Sequence, residues 1–252
     1  MEFVNFTKYT KCEDLKRLKF IQNQVEKIKP PLQILEVGCG NGNICYQIAH
    51  LGHQVVGIDL SKESIDYANE HFAMPNLSYK TLPAESIDGH SLYDVIICSE
   101  VLEHLVEPSK VLTQIFRMLK PNGIAIITVP NGKGPRERLI TRPIQNLRKS
   151  DGLLWKITTR FKTLLGYKGT TIQSNAVSLE HIQFFSLTSL HELAKNAGFQ
   201  IIEIQAANFI EAVFPISLLT KPFKLLQQLD CYIADKLPIA WSSGFYTVMA
   251  KK

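Results

Sequence analysis

The stretch ILEVGCGNGNICYQIAHLGHQVVGIDLS, residues 34–61, places three glycines within five positions, at Gly38, Gly40 and Gly42. An apolar run precedes the glycines, and a second apolar run ends at Asp59. A strand that ends in a glycine-rich turn and opens into a helix lets a ligand approach the backbone closely. The stretch therefore predicts a ligand site formed by bare backbone and an acidic side chain.

The spacing of the glycines differs from the dinucleotide fingerprint GxGxxG, which requires a glycine where this chain has Asn43. This difference disfavours a nicotinamide cofactor. A second acid, Glu36, already stands on the strand before the turn. One carboxylate suits an ammonium group and the other suits a pair of ribose hydroxyls. A ligand with an amino acid end and a nucleoside end fits both.

Length and composition predict a single α/β domain. At 252 residues, 45% of them hydrophobic, the chain can bury one large core. Short β-branched runs alternate with amphipathic runs, which is typical of a mostly parallel sheet with helical crossovers. The five cysteines lack CxxC spacing, which fits a reducing cytosol and disfavours a structural zinc site. We find no signal-like start and no apolar run of about 18 residues, so we expect a cytoplasmic protein.

The same alternation predicts the positions of the secondary-structure elements. Ser61 and Ser186 are predicted N-caps, and KPNG, residues 120–123, is a predicted turn. Strands are predicted at 32–37, 54–59, 77–81, 93–99, 123–130, 199–206 and 244–251, and helices at 43–51, 61–71, 108–119 and 187–197.

Five motifs, in order and at suitable spacing, resemble those of the class I S-adenosylmethionine-dependent methyltransferases over most of the chain. The group it resembles within that family is the ubiquinone-pathway O-methyltransferase-like group of small-molecule enzymes. The resemblance implies a Rossmann-like seven-stranded sheet of order 3-2-1-4-5-7-6, with the last strand antiparallel, helices on both faces and an inserted helical lid. The motifs are LEVGCGNG (35–42), VVGIDLS (55–61), LPAES (82–86), YDVIICSEVLEHL (93–105) and MLKPNGIAIITVPN (118–131).

The resemblance also implies a site for S-adenosyl-L-methionine, with S-adenosyl-L-homocysteine as the product. The glycines would form the wall for the methionine part, Asp59 would hold the ribose hydroxyls, and Ser99 and Glu100 would close the methyl side. Ala84 and Glu85 would approach the adenine, although an exposed loop carboxylate is an equally good interpretation of Glu85. The thiols of Cys39 and Cys98 are interpreted as packing groups. The predicted cofactor-binding residues are Glu36, Gly38, Cys39, Gly40, Gly42, Asp59, Leu60, Ala84, Glu85 and Ser99.

Methyl transfer to a hydroxyl requires an acceptor held behind the methyl group and a base that removes the proton. A histidine can act as this base at neutral pH, and His104 in SEVLEHL is the candidate. Glu100 and His181 are further catalytic candidates, although a packing role suits His181 equally well. Glu100, Glu103 and His104 have the i, i+3, i+4 spacing that would bring them to one face of a helical turn.

The same E-x-x-E-H pattern resembles the magnesium-binding motif of ubiquinone-pathway O-methyltransferases and of small-RNA 2′-O-methyltransferases. A hard cation binds carboxylates readily and could lower the pKa of an acceptor hydroxyl. The pattern also occurs in family members thought to need no metal. The metal-free interpretation is therefore favoured, with Glu100, Glu103 and His104 as the candidate ligands of the alternative.

Residues 131–177 depart most from a minimal methyltransferase and hold most of the positive excess of a chain whose net charge is +5. An amphipathic helix here would be basic on one side and apolar on the other, as in helices that lie on membranes. Peripheral membrane contact through 145–165 is one interpretation, and a lid whose apolar face packs on the core is favoured over it. A second apolar stretch, AVFPISLLTKPFKLLQQL, covers residues 212–229.

These observations predict a methyltransferase that acts on a hydroxyl, in preference to an amine, of a small or lipid-like acceptor. The alternatives are an RNA or tRNA methyltransferase, a non-enzymatic cofactor-binding or membrane-docking protein, and a nicotinamide oxidoreductase. Nucleic acid is disfavoured because few aromatic residues accompany the basic ones, and the sequence indicates no oligomeric state. Within one domain, 1–252, we expect an N-terminal helical cap (1–30), a cofactor-binding core (31–130), a basic insertion or acceptor lid (131–180) and the C-terminal half of the sheet (181–252).

Overall fold

The fold is described by a computed structural model over residues 11–135, 137–143, 181–210, 220 and 223–251. Every predicted strand is present, and most bounds agree with the prediction to within a residue. The strands are β1 (Gln33–Val37), β2 (Gln54–Asp59), β3 (Leu77–Thr81), β4 (Tyr93–Ser99), β5 (Leu119–Pro130), β6 (Phe199–Ala206) and β7 (Gly244–Lys251).

The seven strands form one sheet in the order β3-β2-β1-β4-β5-β7-β6. The pairs from β3 to β5 are parallel, and β7 is antiparallel to both of its neighbours. The predicted strand order and antiparallel last strand are therefore confirmed. Because β1, β2 and β4 run in the same direction, their carboxyl ends meet at one edge of the sheet, where ligands of such folds bind.

β5 begins at Leu119 rather than at residue 123. Its pairing with β4 passes from Tyr93–Leu119 to Val95–Ile124, so β5 contains the extra residues of a bulge. The predicted KPNG turn thus lies inside the strand. Gly123 suits this position because a Cβ there would lie 2.9 Å from the Asp94 carbonyl oxygen.

Two of the helices begin where the predicted capping serines place them. The Ser61 hydroxyl accepts a hydrogen bond from the Ser64 N–H at 3.2 Å, and Ser186 and Ser189 form a reciprocal capping box. Both predicted N-caps are confirmed. The helices are α1 (Cys12–Glu26), α2 (Asn43–Ala49), α3 (Lys62–His71), α4 (Pro108–Met118), α5 (Leu187–Asn196) and α6 (Lys224–Lys236).

The core has two layers because both faces of the sheet are covered. Alternate residues of β1 point to opposite sides, with Ile34 in one apolar cluster and Leu35 in the other. The first cluster includes residues of α1, α2 and α3, and the second includes residues of α4 and α5. This packing fixes the strand ends at which the site forms.

Most of the predicted basic insertion, including 145–165, lies outside the described residues. Its amphipathic helix, its membrane contact and the proposed division into subdomains stay predictions. The described part of the insertion contains a π-helical turn, Glu137–Thr141. Among the described residues, no helix is both long and apolar enough to cross a membrane.

Candidate active site

The turn after β1 requires glycine at two positions. Gly38 has φ +73° and Gly42 has φ +81°, in the left-handed region that other residues rarely adopt. A Cβ on Gly38 would overlap the Val101 side chain, and one on Gly42 would lie 2.5 Å from the Tyr79 hydroxyl oxygen. The turn therefore keeps its backbone bare, as the sequence predicted.

Asp59, at the end of β2, is bonded directly to the glycine turn. Its Oδ2 accepts a hydrogen bond from the Gly40 N–H at 2.8 Å, and its Oδ1 accepts one from the Ser61 N–H at 2.8 Å. Each carboxylate oxygen has two lone pairs, so both can still accept a ligand hydroxyl. Gly40 and Asp59, which lie 19 residues apart in the sequence, are thus joined by a hydrogen bond. Leu60 follows them with its side chain exposed.

Glu36, on β1 beneath the turn, has a buried carboxyl group that accepts a hydrogen bond from the Cys45 thiol at 2.8 Å. Burial raises the pKa of Glu36 from its ordinary 4.5 to about 8; the Cys45 bonds oppose this shift, and the nearby Asp59 charge adds to it. The carboxyl group is therefore largely protonated at neutral pH unless a cation lies beside it. Cys39 and Cys98 are also buried, as expected of packing thiols.

Arg17, on α1, is a buried cation that the sequence analysis missed. Its guanidinium donates to Asp14 at 2.8 Å and lies 3.6 Å from Glu100 Oε1, and its charge lowers the pKa of Glu36. The sequence contains one indication that Arg17 is buried. Arg17 precedes Ile21 and Val25 at intervals of four residues, which places it on the buried face of α1.

Glu100 leaves β4 in a conformation that is rare for a residue with a side chain. Its φ of +57° costs roughly 1–2 kcal/mol, and such strain is found where the surroundings hold a functional group in place. Its N–H donates to the Thr128 carbonyl at 3.0 Å, and the Thr128 hydroxyl donates to Glu100 Oε1 at 2.9 Å. The Ser99 hydroxyl lies 2.9 Å from that of Thr128.

The expectation that Glu100, Glu103 and His104 share one helical face is wrong. The helical turn is a single 3₁₀ turn, Leu102–His104, which begins after Glu100. The left-handed backbone at Glu100 directs its carboxylate to Thr128 instead. Glu103 is 1% exposed, and its Oε1 lies 3.7 Å from His104 Nε2.

The segment after the insertion folds back over this turn. The N–H groups of Ile182 and Gln183 both donate to the Glu103 carbonyl oxygen, at 2.7 and 2.9 Å. These bonds bring the His181 ring to 5.1 Å from the His104 ring, in an edge-on contact. The structure thus brings the two predicted histidines together, and their catalytic roles stay predictions.

Glu137, in the π-helical turn, is a second residue that the sequence analysis missed. It is 0% exposed, and its Oε1 lies 3.4 Å from His181 Nδ1. The sequence does show an acid between the two arginines of RERL, but an acid in a basic segment is normally interpreted as a surface ion-pair partner of its neighbours. We call Glu103, His104, Glu137 and His181 the histidine–glutamate cluster.

The cluster has the composition of a cation site. Ligand atoms of Glu103, His104 and His181 lie within 4.8 Å of one another. In the described part of the chain, no hydrogen bond reaches either carboxylate oxygen of Glu103 or of Glu137. Burial, and then the charge of Glu100, raises the pKa of Glu103 well above its ordinary value. Two imidazoles with carboxylates can bind a divalent cation.

The predicted adenine side is less enclosed. Ala84 begins a 3₁₀ turn, Ala84–Ser86, and is half-buried. Glu85 is exposed, which is the arrangement expected of the loop carboxylate interpretation. Contact of either residue with adenine stays a prediction.

Comparison with known proteins gives the family. A family model described as a methyltransferase domain matches residues 6–204. The chain belongs to this methyltransferase family. The family and fold predicted from the sequence are both confirmed.

The methyltransferase is 35% identical over 102 residues to a ubiquinone biosynthesis O-methyltransferase of Bradyrhizobium diazoefficiens, covering 40% of each chain. It is 36% identical over 119 residues to the protein of the same name from Rickettsia typhi, covering 46% of this chain and 47% of that one. The chain thus spans less than half the length of these curated relatives.

A solved structure with the same fold is the 1,6-didemethyltoxoflavin-N1-methyltransferase of Burkholderia thailandensis, with bound 1,6-didemethyltoxoflavin and S-adenosylhomocysteine. The TM-score is 0.57 and the identity 16%, over 96% of this chain and 79% of the other. At this identity the likeness concerns the fold.

Proposed function

We propose that this methyltransferase transfers the methyl group of S-adenosyl-L-methionine to a hydroxyl of a small or lipid-like acceptor. The observation that carries the proposal is the contact between His104 and His181, because His104 lies in the turn that follows β4, at the carboxyl end of a strand that pairs with β1. A base next to the methyl side is what a hydroxyl acceptor needs. The names of the curated relatives, which are O-methyltransferases, support the same choice of acceptor.

In the proposed cofactor complex, the bare backbone at Gly38, Gly40 and Gly42 lies along the methionine part, and Asp59 accepts from the ribose hydroxyls. Glu36 provides a carboxylate for the ammonium group. The buried Arg17 provides the opposite charge for the cofactor carboxylate, which lies beside that ammonium. The two ends of a zwitterion thus meet two buried groups of opposite sign.

In the transfer, the acceptor oxygen attacks the methyl carbon in line with the carbon–sulfur bond. The bond breaks and its electron pair returns to sulfur, which leaves S-adenosyl-L-homocysteine as a neutral thioether. His104 accepts the proton of the acceptor hydroxyl, so its imidazole must be neutral at the start. His181 orients the acceptor or the His104 ring.

The histidine–glutamate cluster also fits a divalent cation, and more closely than the sequence motif alone suggested. Among the described residues, no hydrogen bond reaches the buried Glu103 carboxyl oxygens, and a cation held by Glu103, His104 and His181 would favour the ionised form that burial disfavours. A bound cation would supply Lewis acidity that lowers the pKa of an acceptor hydroxyl.

Titration with Mn²⁺ tests this cation site without any turnover. We expect calorimetry to show binding that tightens with rising pH, because the raised pKa of Glu103 makes protons compete with the metal. Glu103→Gln should abolish it, and Glu107→Gln, at an exposed neighbouring acid, should not. Mn²⁺ binding would make His104 a ligand instead of the base, and absence of Mn²⁺ binding at alkaline pH would leave His104 as the base of a metal-free transfer.

The methyl transfer itself is tested with matched acceptors. The protein is titrated with S-adenosyl-L-homocysteine and with NAD, and then assayed for S-adenosyl-L-homocysteine production with phenols, catechols and their aniline analogues. We expect binding of the first ligand only, and turnover with the hydroxyl compounds. Binding of NAD instead, or turnover with the amines alone, would contradict the proposal.

The choice between a lipid-like and a soluble acceptor depends on whether the basic segment 145–165 contacts a membrane. This segment lies outside the described residues. We propose that this segment is an acceptor lid, as the sequence favours; the alternative is contact with an anionic membrane, where each basic residue contributes about 1 kcal/mol. If that alternative holds, vesicle flotation at low salt detects the contact, and Trp155→Glu weakens it without lowering thermal stability. If Trp155→Glu unfolds the protein, the segment is a lid and the acceptor is a soluble molecule.

A further inference from the structure

The second apolar stretch of the sequence continues into α6, whose outer side is unusually apolar. Of the 13 large hydrophobic side chains exposed among the described residues, seven lie between positions 223 and 241. The 3₁₀ turn Ile239–Trp241 packs against α6, so that Trp241 belongs to the same region. We call this region the α6 surface; its members are Phe223, Leu225, Leu226, Leu229, Tyr232, Ile233 and Trp241.

The buried side of α6 carries small and polar residues, Cys231 and Ala234 with Gln227 and Asp230, and its large apolar residues are exposed. Gln227 and Asp230 are buried, whereas Leu225 is 76% exposed and Tyr232 is 60% exposed. Leu225, Leu229 and Tyr232 follow the i, i+4, i+7 spacing of one helix face. The core therefore does not account for the apolar face of this helix.

Hydrogen bonds fix this orientation. Asp230 accepts from the N–H groups of Phe209 and Ile210 at 2.8 and 3.0 Å. Gln227 accepts from the Cys12 N–H at 3.0 Å, which joins the start of α6 to α1. Turning α6 so that its leucines faced inward would break these bonds and leave buried polar groups unpaired. The leucines are thus held outward.

A lysine lies at each end of α6. Lys224 and Lys236 are exposed at the two ends of the helix, and Lys236 Nζ lies 5.5 Å from the centre of the Tyr232 ring. Both acids of α6 are engaged, since Asp230 binds backbone N–H groups and Asp235 pairs with Lys16 at 2.7 Å. The apolar face is therefore bordered by lysines.

We propose that the α6 surface docks onto an anionic lipid bilayer. Leucines that enter the acyl boundary, Tyr and Trp at the level of the headgroups, and flanking lysines are the groups that such a surface requires. A second copy of this chain fits less well, because a two-fold contact through α6 would bring Lys224 near Lys236 of the other copy. This docking is independent of methyl transfer and concerns a different element from residues 145–165.

The test uses the full chain and vesicles of phosphatidylcholine, with and without phosphatidylglycerol. We expect cosedimentation with the anionic vesicles that weakens as salt rises. Leu225→Ser with Leu229→Ser should lower the partition coefficient by roughly tenfold or more for each leucine. Leu92→Ser, at an exposed leucine outside the α6 surface, is the matched control and should bind as the unchanged protein does.

Three results would overturn the proposal. The first is no binding of the unchanged protein to anionic vesicles. The second is vesicle binding that the double leucine change leaves undiminished in the Trp155→Glu background, where any contribution of residues 145–165 is reduced. The third is a dimer in light scattering that the leucine changes dissociate, without vesicle binding. Unchanged melting temperature and S-adenosyl-L-homocysteine affinity in the double variant would show that any loss of vesicle binding comes from the α6 surface rather than from unfolding.

Discussion

Replacing Glu36 by Gln should stabilise the ligand-free protein, and increasingly so as the pH rises. In the folded protein the pKa of Glu36 is about 8, against an ordinary value of 4.5. The folded state therefore holds a proton between these two pH values that the unfolded chain releases. Stability contributed by this group is complete below pH 4.5 and is lost as the pH rises to about 8.

The size of the effect follows from the pKa difference. At about 1.4 kcal/mol for each pH unit, the burial of this carboxyl group costs roughly 3 kcal/mol near pH 7 and roughly 5 kcal/mol at pH 8 and above. The Glu36 side chain is buried, so solvent does not screen this cost. Glutamine keeps the shape and an oxygen that accepts from Cys45, but it never ionises.

Denaturant unfolding of both proteins from pH 4.5 to pH 9 measures the difference. We expect the free energy of unfolding of Glu36→Gln to gain on that of the unchanged protein across this range, whereas Glu26→Gln, at an exposed acid, should show no trend. A constant difference would refute the reasoning, since glutamine can shift stability at all pH values but only an ionisable group produces the trend.

Cofactor binding extends the same argument. An ammonium group beside Glu36 would favour its ionised form and lower its pKa. Calorimetry in buffers of different ionisation enthalpy should therefore show release of about one proton when S-adenosyl-L-homocysteine binds near pH 7. Glu36→Gln should bind more weakly and release none. Equal proton release by both proteins would show that the ammonium group binds elsewhere.

Four further outcomes are expected. Asp59→Ala should weaken S-adenosyl-L-homocysteine binding, since each charge-assisted hydrogen bond contributes roughly 1.5–3 kcal/mol; unchanged affinity in calorimetry would remove Asp59 as the ribose acid. His104→Ala should lower kcat strongly while cofactor affinity stays the same, and an equal loss of both would point to a cofactor contact. Gly42→Ala should lower the melting temperature and the affinity together, because its Cβ would meet the Tyr79 ring and its φ is +81°. Glu103→Gln should raise the melting temperature of the metal-free protein at alkaline pH and not at acid pH, because burial raises the pKa of Glu103; a gain at acid pH alone would contradict this.

Local pattern determined most of the fold. The bare turn at Gly38–Gly42, the acid at Asp59 and the capping serines are features of neighbouring residues, so the sequence shows them directly. The strand order followed from a resemblance carried by five motifs in order. The start of β5 was predicted wrongly, at residue 123. This error also has a local cause, because KPNG is compatible both with a turn and with a bulge inside a strand.

The arrangement around Glu100 and the histidine–glutamate cluster was decided by tertiary structure. Spacing placed Glu100 with Glu103 and His104, but a left-handed residue after β4 turned its carboxylate to Thr128 instead. Spacing alone also cannot show that Arg17 approaches Glu100 or that Glu137 approaches His181, because these residues come from segments far apart in the chain.

The exposure of the large apolar residues of α6 was also decided by contacts between distant segments. Its sequence is amphipathic in either orientation, and the hydrogen bonds of Gln227 and Asp230 to distant backbone select the one with leucines outside. The sequence thus predicted the glycine turn and Asp59, because each is a pattern of neighbouring residues. The packing of distant segments decided which side chains meet in the histidine–glutamate cluster and which face outward, because burial and hydrogen bonding are properties of the assembled chain.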